Sequence, residues 1–361
     1  MRIGIDIQST TGKPSGLGFY TSNLVTAIQQ IDSENEYILI KNNFFCGNLS
    51  TPKRIFWEQV ALPTQIFNKR IDVLHIPGFA PPLIRKSKLV VTLHDLIGIR
   101  MPENNLSPFS RFYWGKYLPG VTKTADIIIT DSQHSRNDIV ELLKVPEERV
   151  KVIYLAAGKE FYQINSKENL KKIKIKYGLD NCPYVLYVGN IEPRKNLVRL
   201  LDVWQNFPLP HKLVITGAKT KFSENLVKII VEKKLGNKII ITNYIPTEEL
   251  VLLYNGASLF VYPSLYEGFG LPVLDAMSCG VPVVTSNVTS LPEIVGDAGI
   301  MVNPTSIEEL SNSIIKVLTS TALHKELSKK GLLQSKKFSW QKVAKETLDV
   351  YNDLPPKKWT H

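Results

Sequence analysis

The sequence predicts an α/β protein made of two doubly wound parallel-sheet domains facing a cleft. Three observations lead there. Short runs rich in Val, Ile, Leu and Tyr recur along the chain, each followed by a loop and a helical pattern, and that alternation makes parallel sheets covered by helices on both faces. The alternation breaks once, at the polar, lysine-rich stretch from Phe161 to Lys176, and then restarts. The length, 361 residues, exceeds one average core. The expected domains are residues 1–165 and 177–337, joined by a linker. Residues 338–361 form a terminal helix that packs back toward the first domain.

In the first half, Ile3 to Ile7 reads as a strand, followed by the loop Gln8–Gly18 and a helix marked by Phe19, Leu24, Ala27, Ile28 and Ile31. Tyr37 to Ile40 is the next strand. Trp57 to Phe67 reads as helix despite Pro63, and Val73 to Ile76 as a strand ending at Pro77-Gly78. Leu89 to Leu93 is a buried strand that delivers His94 and Asp95 at its carboxyl end. Residues 108–118 carry Phe109, Phe112, Tyr113, Lys116 and Tyr117 at helical spacing, which suits core packing or, with Arg111 and Lys116, a membrane-surface contact. Asp126 to Thr130 is a strand, Asp131-Ser132 caps a helix through Leu143, and Val150 to Tyr154 is a further strand.

In the second half, strands are expected at Tyr184–Val188, Lys212–Thr216, Lys238–Thr242, Leu259–Tyr262 and Pro282–Thr285. Phe338 to Tyr351 reads as an amphipathic helix capped by Ser339, and the residues from Asn352 read as frayed. No apolar segment approaches ~20 residues, so no span of a bilayer is expected. The start, Met1 to Ile7, lacks a leader's apolar run and cleavage site.

A net charge of +11 favours acidic partners such as nucleotide phosphates or an anionic lipid surface. The excess is spread over both halves with no arginine-rich arm, so nucleic acid is not expected, and much of it serves solubility. Cys46, Cys182 and Cys279 are scattered without C-x-x-C spacing, which points to a reducing compartment and no structural zinc.

The chemistry concentrates in Ser264–Gly280. The strand Leu259–Tyr262 leads into a loop holding Glu267, Gly268 and Gly270, and then a helix with Pro272 at its start and Gly280 at its end. Backbone N–H groups around Gly270, Leu271 and Val273 face the helix's positive end and make an anion site. Glu267 in the loop and Asp275 in the first helical turn flank it with carboxylates that suit sugar hydroxyls. The same spacing fits a plain strand–loop–helix corner in which Asp275 only complements the helix dipole. Arg194-Lys195 follows the strand Tyr184–Val188, where a forked cation and a point charge neutralise a diphosphate, or form a solvated basic turn. Ligands of open α/β sheets lie outside the carboxyl ends of strands, which nominates His94; a lone histidine also serves as a structural hydrogen-bonder. The loop before Gly18 is a poor dinucleotide fingerprint, since Thr21 replaces the third glycine; it reads as a substrate-facing loop.

Gly189-Asn-Ile-Glu-Pro-Arg-Lys-Asn196 together with Glu267-Gly-Phe-Gly-Leu-Pro-Val-Leu-Asp275 resembles the retaining glycosyltransferases of family 4, the glycosyl transferases group 1, of GT-B fold with two Rossmann-like domains. Ser15–Gly18, Leu93–Leu96, Ser132–Arg136 and the tail Phe338-Ser-Trp340 agree with it. The resemblance implies that Gly16 and Gly18 line the cleft near donor phosphate and acceptor, and that His94 contacts the transferred sugar. Arg194 and Lys195 would hold the diphosphate as it leaves. Glu267, the first of the family's E-x7-E pair, would contact sugar hydroxyls, and the backbone of Phe269, Gly270 and Leu271 would support sugar and phosphate. Two positions depart from the pattern. Asp275 stands where the family has the ribose-binding Glu, and Asn190 stands where some members carry Arg, leaving diphosphate binding more dependent on Arg194 and Lys195.

The implied activity is transfer of a hexose, mannose-type from GDP-mannose ahead of UDP-sugars, to a glycan or lipid-linked acceptor in O-antigen or other surface-polysaccharide (lipopolysaccharide) synthesis. No D-x-D pair is present, so transfer is expected without a metal and with no cofactor beyond the nucleotide sugar donor. The expected location is cytoplasmic, peripheral on the inner face of the membrane. The alternative is a sugar-nucleotide epimerase of the same shape, which needs no acceptor; a two-lobed binding module is the non-enzymatic one.

Overall fold

The computed structural model describes residues 1–12, 15–42, 49–78, 80–102, 108–180 and 182–355. Two compact units emerge, Met1–Leu155 with Ser339–His361, and Ala156–Phe338. Each holds a six-stranded sheet.

In the first unit the strands are β1 (Arg2–Asp6), β2 (Glu36–Ile40), β3 (Val73–Pro77), β4 (Lys88–Thr92), β5 (Ile127–Thr130) and β6 (Val150–Val152). They pair in parallel in the order β2-β1-β3-β4-β5-β6. The second unit has β7 (Tyr184–Val188), β8 (Lys212–Thr216), β9 (Ile239–Asn243), β10 (Leu259–Tyr262), β11 (Val283–Ser286) and β12 (Ile300–Val302). These are also parallel, in the order β12-β11-β10-β7-β8-β9. Strands covered on both faces need continuous apolar runs rather than alternation. Accordingly Leu186, Val214, Ile215, Phe260, Val261 and Val283 are fully buried.

The order reverses between β7 and β10. A doubly wound sheet opens a ligand crevice at such a reversal, outside the carboxyl ends of the strands. The loops that leave those two ends carry Arg194-Lys195 and Glu267.

Three expectations change. The stretch read as a linker holds the helix Lys167–Lys176, capped by Ser166 and part of the second unit. Lys167, Lys171, Lys172 and Lys176 are exposed while Ile173 is buried, and the helix packs on the helix Thr247–Gly256, where Lys176 and Tyr177 both donate to Glu249 at 2.6 Å. The strand β12 was not foreseen, since three residues are too few for a periodic signal. The helix around Pro63 begins at Thr51 and widens into a π turn at Trp57–Ala61.

That widening recurs. Leu62 N–H donates to the Trp57 carbonyl, five residues back, immediately before Pro63; Leu118 N–H does the same to Tyr113 immediately before Pro119. Proline lacks an N–H and its ring collides with the carbonyl four residues earlier. One widened turn absorbs both defects and keeps the helix running.

The aromatic stripe divides. Tyr113 is buried and donates to the buried Glu58 at 2.9 Å, whereas Phe109 and Phe112 are 63% and 50% exposed. The C-terminal helix Trp340–Asn352, capped by Ser339, lies on the helix Gly16–Ile31, with Phe19 edge-on to Trp340 at 5.9 Å. Cys279 is buried and free and Cys182 is half-buried and free; Cys46 and the tail beyond residue 355 lie outside the described residues.

Candidate active site

In the second unit the chain leaves β7 through Gly189, where φ is +153° and the carbonyl lies so close to Gly217 that a Cβ there would meet it at 2.0 Å. A single 3-10 turn, Pro193–Lys195, follows. Asn196 ends it in the left-handed region, at φ +62°, a conformation asparagine tolerates. Its amide donates to the carbonyls of Pro263 at 3.0 Å and Pro304 at 2.7 Å, and Leu265 N–H donates to the Arg194 carbonyl at 2.7 Å. The basic turn is thereby laced to the loop after β10.

That loop presents Glu267. Its Oε1 accepts from Lys195 Nζ at 2.6 Å and from the Ser264 hydroxyl, and its Oε2 accepts from Arg194 Nη1 at 3.1 Å. Lys195 also donates to the Tyr262 hydroxyl and lies 4.9 Å from the centre of that ring. Arg194 Nε donates to Glu192 at 2.9 Å. Side-chain exposure is 7% for Lys195, 10% for Glu267 and 19% for Arg194, so these are desolvated charges that hold one another. Burial pushes the Glu267 carboxyl up, but the neighbouring Lys195 and Arg194 more than reverse it, and the group sits below the ordinary carboxylate range.

The loop's shape is imposed from below. The Thr289 hydroxyl accepts from Glu267 N–H at 3.2 Å, and the Ser290 hydroxyl reaches the carbonyls of Phe269 at 2.6 Å and Glu267 at 3.0 Å. Thr289 holds φ +58°, an outlier for a β-branched residue, and strain of this kind gathers at functional loops.

Phe269 spends its ring on packing, edge-on to Phe338 at 6.1 Å, and is buried. Gly270 has φ +126°, which requires glycine. The helix Leu271–Ser278 then begins with Pro272 in its first turn. Val273 N–H donates to the Gly270 carbonyl at 2.9 Å, so the third anion donor expected here is consumed by the helix itself. Leu271 is half-buried at the helix start and Asn190 is exposed at the end of β7.

Asp275 is not in the first turn, which contains no acidic residue. Its carboxyl is raised well above the ordinary range by burial, with the Gly158 N–H bond opposing and nearby Glu160 adding to the rise. The side chain one methylene shorter than the family's Glu is thus engaged by the backbone of its own unit.

The first unit places the remaining candidates. His94 leaves the carboxyl end of β4, and its Nδ1 donates to Asp131 Oδ2 at 2.7 Å, at the end of the adjacent β5. Tyr20 packs edge-on against the imidazole, with ring centres 4.6 Å apart. Gly18 is required by packing, since a Cβ would meet the Ser9 carbonyl at 2.5 Å, whereas at Gly16 a Cβ would meet nothing within 4 Å.

Sequence reasoning missed Asp131, read there only as part of a helix cap, and Tyr262, Thr289 and Ser290. Ser132 is the cap, accepting from Ser135 N–H. The sequence offered for Asp131 only a carboxylate at the exit of a strand; its pairing with His94 is made in space.

Residues 24–157 match the family described as Glycosyltransferase Family 4, and residues 166–334 match Glycosyl transferases group 1. Over 286 residues the chain is 37% identical to the O-antigen chain mannosyltransferase B of Escherichia coli, covering 78% of this chain and 74% of that one. It is 35% identical to the serotype-specific mannosyltransferase WbdA of Escherichia coli over 74% of this chain, which spans about a third (34%) of that longer protein. Among solved structures, WaaG, a glycosyltransferase involved in lipopolysaccharide biosynthesis, superposes with a TM-score of 0.76 at 13% identity, covering 96% of this chain and 99% of that one. HepE of Anabaena in complex with UDP and glucose gives 0.76 at 19% identity over 98% and 99%. Those two likenesses establish the GT-B fold. With two six-stranded parallel sheets, and with family models matching over both halves, the chain belongs to the family 4, group 1 glycosyltransferases.

Proposed function

We propose that this glycosyltransferase moves a mannose-type hexose from a nucleotide diphosphate sugar to a glycan or lipid-linked acceptor, with retention at the anomeric carbon, in surface-polysaccharide assembly of the O-antigen kind. The observation that carries the reading is the Arg194–Lys195–Glu267 cluster at the β7/β10 reversal. The mannose preference is supported by the E. coli relatives.

The bond between the anomeric carbon and the diphosphate breaks, and negative charge grows on the departing oxygen. Two fixed cations answer that charge with little reorganisation, which is the most effective form of electrostatic catalysis. They supply what a divalent ion would, so no metal is required. The Glu267 carboxylate accepts from sugar hydroxyls, and His94 contacts the transferred sugar. The acceptor hydroxyl attacks from the face the diphosphate leaves, and the departing phosphate oxygen takes its proton. The new bond therefore keeps the old configuration.

No helix among the described residues is long and apolar enough to cross a membrane. Exposed Phe109 and Phe112 beside Arg111, and exposed Phe56 and Val60 beside Lys53 and Arg54, support a peripheral seat on the anionic inner face, with the enzyme otherwise cytoplasmic.

The test is a donor panel. GDP-mannose is expected to raise the melting midpoint more than UDP-sugars, and to release GDP only when a mannan-type or lipid-linked acceptor is added. Nucleotide-sugar conversion without acceptor would mark an epimerase and refute the transferase reading.

A further inference from the structure

We propose that Asp131 is the positioning residue of His94: it fixes the imidazole with its proton on Nδ1 and so presents Nε2 to a hydroxyl of the transferred sugar as an acceptor backed by a buried negative charge. This rests on the transferase reading above.

The pair is built, not incidental. Nδ1 and Oδ2 are 2.7 Å apart, and the Asp131 side chain is only 4% exposed. The two residues leave the carboxyl ends of the adjacent parallel strands β4 and β5, so strand spacing alone sets them side by side. With the carboxylate accepting, Nδ1 carries the shared proton, and in the neutral imidazole Nε2 then carries a lone pair. Among the described residues, both His94 Nε2 and Asp131 Oδ1 are buried without a hydrogen-bond partner. Each such atom costs about 1–3 kcal/mol while it stays unpaired, and here two of them belong to one hydrogen-bonded pair. An orphaned acceptor on a ring whose other nitrogen is pinned is poised for a ligand.

Burial pushes the Asp131 carboxyl up, and His94 opposes that by charge and hydrogen bond. Tyr20, from the helix Gly16–Ile31, meets the ring edge-on, with its hydroxyl 3.0 Å from Thr92 Oγ1 and its acidity suppressed by burial. His75 on β3 lies between Thr92 Oγ1 at 2.8 Å and the Tyr351 hydroxyl at 2.6 Å. Burial, with His94 adding to it, pushes His75 down to about 3, so it stays neutral. Asp95 is the other carboxylate that acts on the ring. Burial pulls the His94 proton affinity down, but Asp131, by charge and hydrogen bond, with Asp95, raises it above the ordinary histidine value.

The chemical consequence follows from charge. The transferred sugar becomes cation-like as the diphosphate departs. A neutral imidazole on a carboxylate is a unit of net charge −1, and a sugar hydroxyl that donates to Nε2 becomes more electron-rich as positive charge grows. Protonation of His94 cancels the charge and blocks the acceptor, so activity is lost on the acid side of the His94 titration.

The experiment uses the full chain and compares Asp131→Asn and Asp131→Glu with wild type. Three readouts are followed: kcat and donor KM across pH, the melting midpoint, and the His94 imidazole resonance, assigned with His94→Asn. In Asp131→Asn kcat is expected to fall on the order of 10²-fold with donor KM little changed. The acid limb and the imidazole titration should both move to lower pH, by about one unit. Asp131→Glu keeps the charge and should recover part of kcat and of the titration shift. An unchanged kcat and acid limb in a folded Asp131→Asn protein would overturn the proposal, as would a His94 titration equal in all three proteins. The imidazole titration needs no donor. If the wild type transfers no sugar from any donor, the transferase reading fails while this arm still decides whether Asp131 governs His94.

Discussion

Removing the Lys195 ammonium should separate what this cluster does for the fold from what it does for the reaction. In Lys195→Ala, Glu267 loses a partner at 2.6 Å inside a site where its side chain is 10% exposed, while Arg194 at 3.1 Å and Ser264 remain. Breaking a buried ion pair by deleting one member costs about 3–5 kcal/mol; with two partners left, the lower end, about 3 kcal/mol, applies. In a unit of this size each kcal/mol moves the midpoint by roughly 2–4 °C, so calorimetry should show a fall of roughly 6–12 °C with a single transition for that unit. Turnover should fall more steeply, on the order of 10²–10³-fold at saturating donor, as when one preorganised donor to a developing anion is lost. The decisive comparison is Lys195→Met with Glu267→Leu. Replacing both charges by apolar groups of similar volume is often neutral or stabilising, so the midpoint should return toward wild type while activity stays lost. A Lys195→Ala protein with an unchanged midpoint and unchanged turnover would refute the placement of Lys195 in both roles.

Two further predictions concern the first unit. Glu58 is fully buried, and burial pushes its carboxyl up to about 8 against the opposing bonds from Tyr113, Ala80 and Tyr117 and the charge of Arg54. A carboxyl raised on folding stabilises fully below its unfolded value of about 4.3, and that contribution is lost as pH rises toward 8, at up to about 1.4 kcal/mol per unit. Glu58→Gln should therefore flatten the decline of stability between pH 5 and 8 in denaturant titrations; an unaltered slope would deny Glu58 that role. Gly16 and Gly18, expected in a loop, stand in the first turn of the helix Gly16–Ile31, which Ser15 caps, and should behave oppositely. Gly18→Ala forces a Cβ against the Ser9 carbonyl and should destabilise by about 1–3 kcal/mol, whereas Gly16→Ala should leave stability within about 0.5 kcal/mol. A loss of transfer in Gly16→Ala at wild-type stability, read as a raised donor or acceptor KM, would place the ligand against that residue.

The parallel strands were legible because a strand buried on both faces must be apolar throughout, and Tyr184–Val188 or Leu259–Tyr262 can be read directly. Boundaries slipped by a residue where the run and the hydrogen-bonded ladder differ, as at β1 and β9. The π turns ahead of Pro63 and Pro119 were not legible, since nothing local says whether a proline ends a helix or widens it. The helix Lys167–Lys176 hid because one buried isoleucine is a thin signal among lysines. In the site, Arg194, Lys195 and Glu267 stood out by their positions after strands. Asp131 did not, because its meaning depends on β5 lying beside β4, a relation made in space. Val273 shows the converse: a helix N-terminus advertises free donors, and only the coordinates tell which one the first turn uses.

Under the proposed function, the charge inventory of the basic turn constrains how a donor would bind. Arg194 and Lys195 carry two positive charges, and Glu192 and Glu267 already meet them with two negative ones. A diphosphate that arrives there finds cations whose donors are partly in use. Arg194 has five N–H groups in a fixed fork, and Lys195 has three donors. Arg194 donates to Glu192, Glu267 and the Tyr266 carbonyl, and Lys195 donates to Glu267 and the Tyr262 hydroxyl. Glu267 is held by Lys195 and Ser264 on one oxygen and by Arg194 on the other. The carboxylate aims the cations, and the cations lower its proton affinity against the upward push of burial. That mutual dependence explains why the cluster can be buried at all, and why deleting one member should damage more than its own contact.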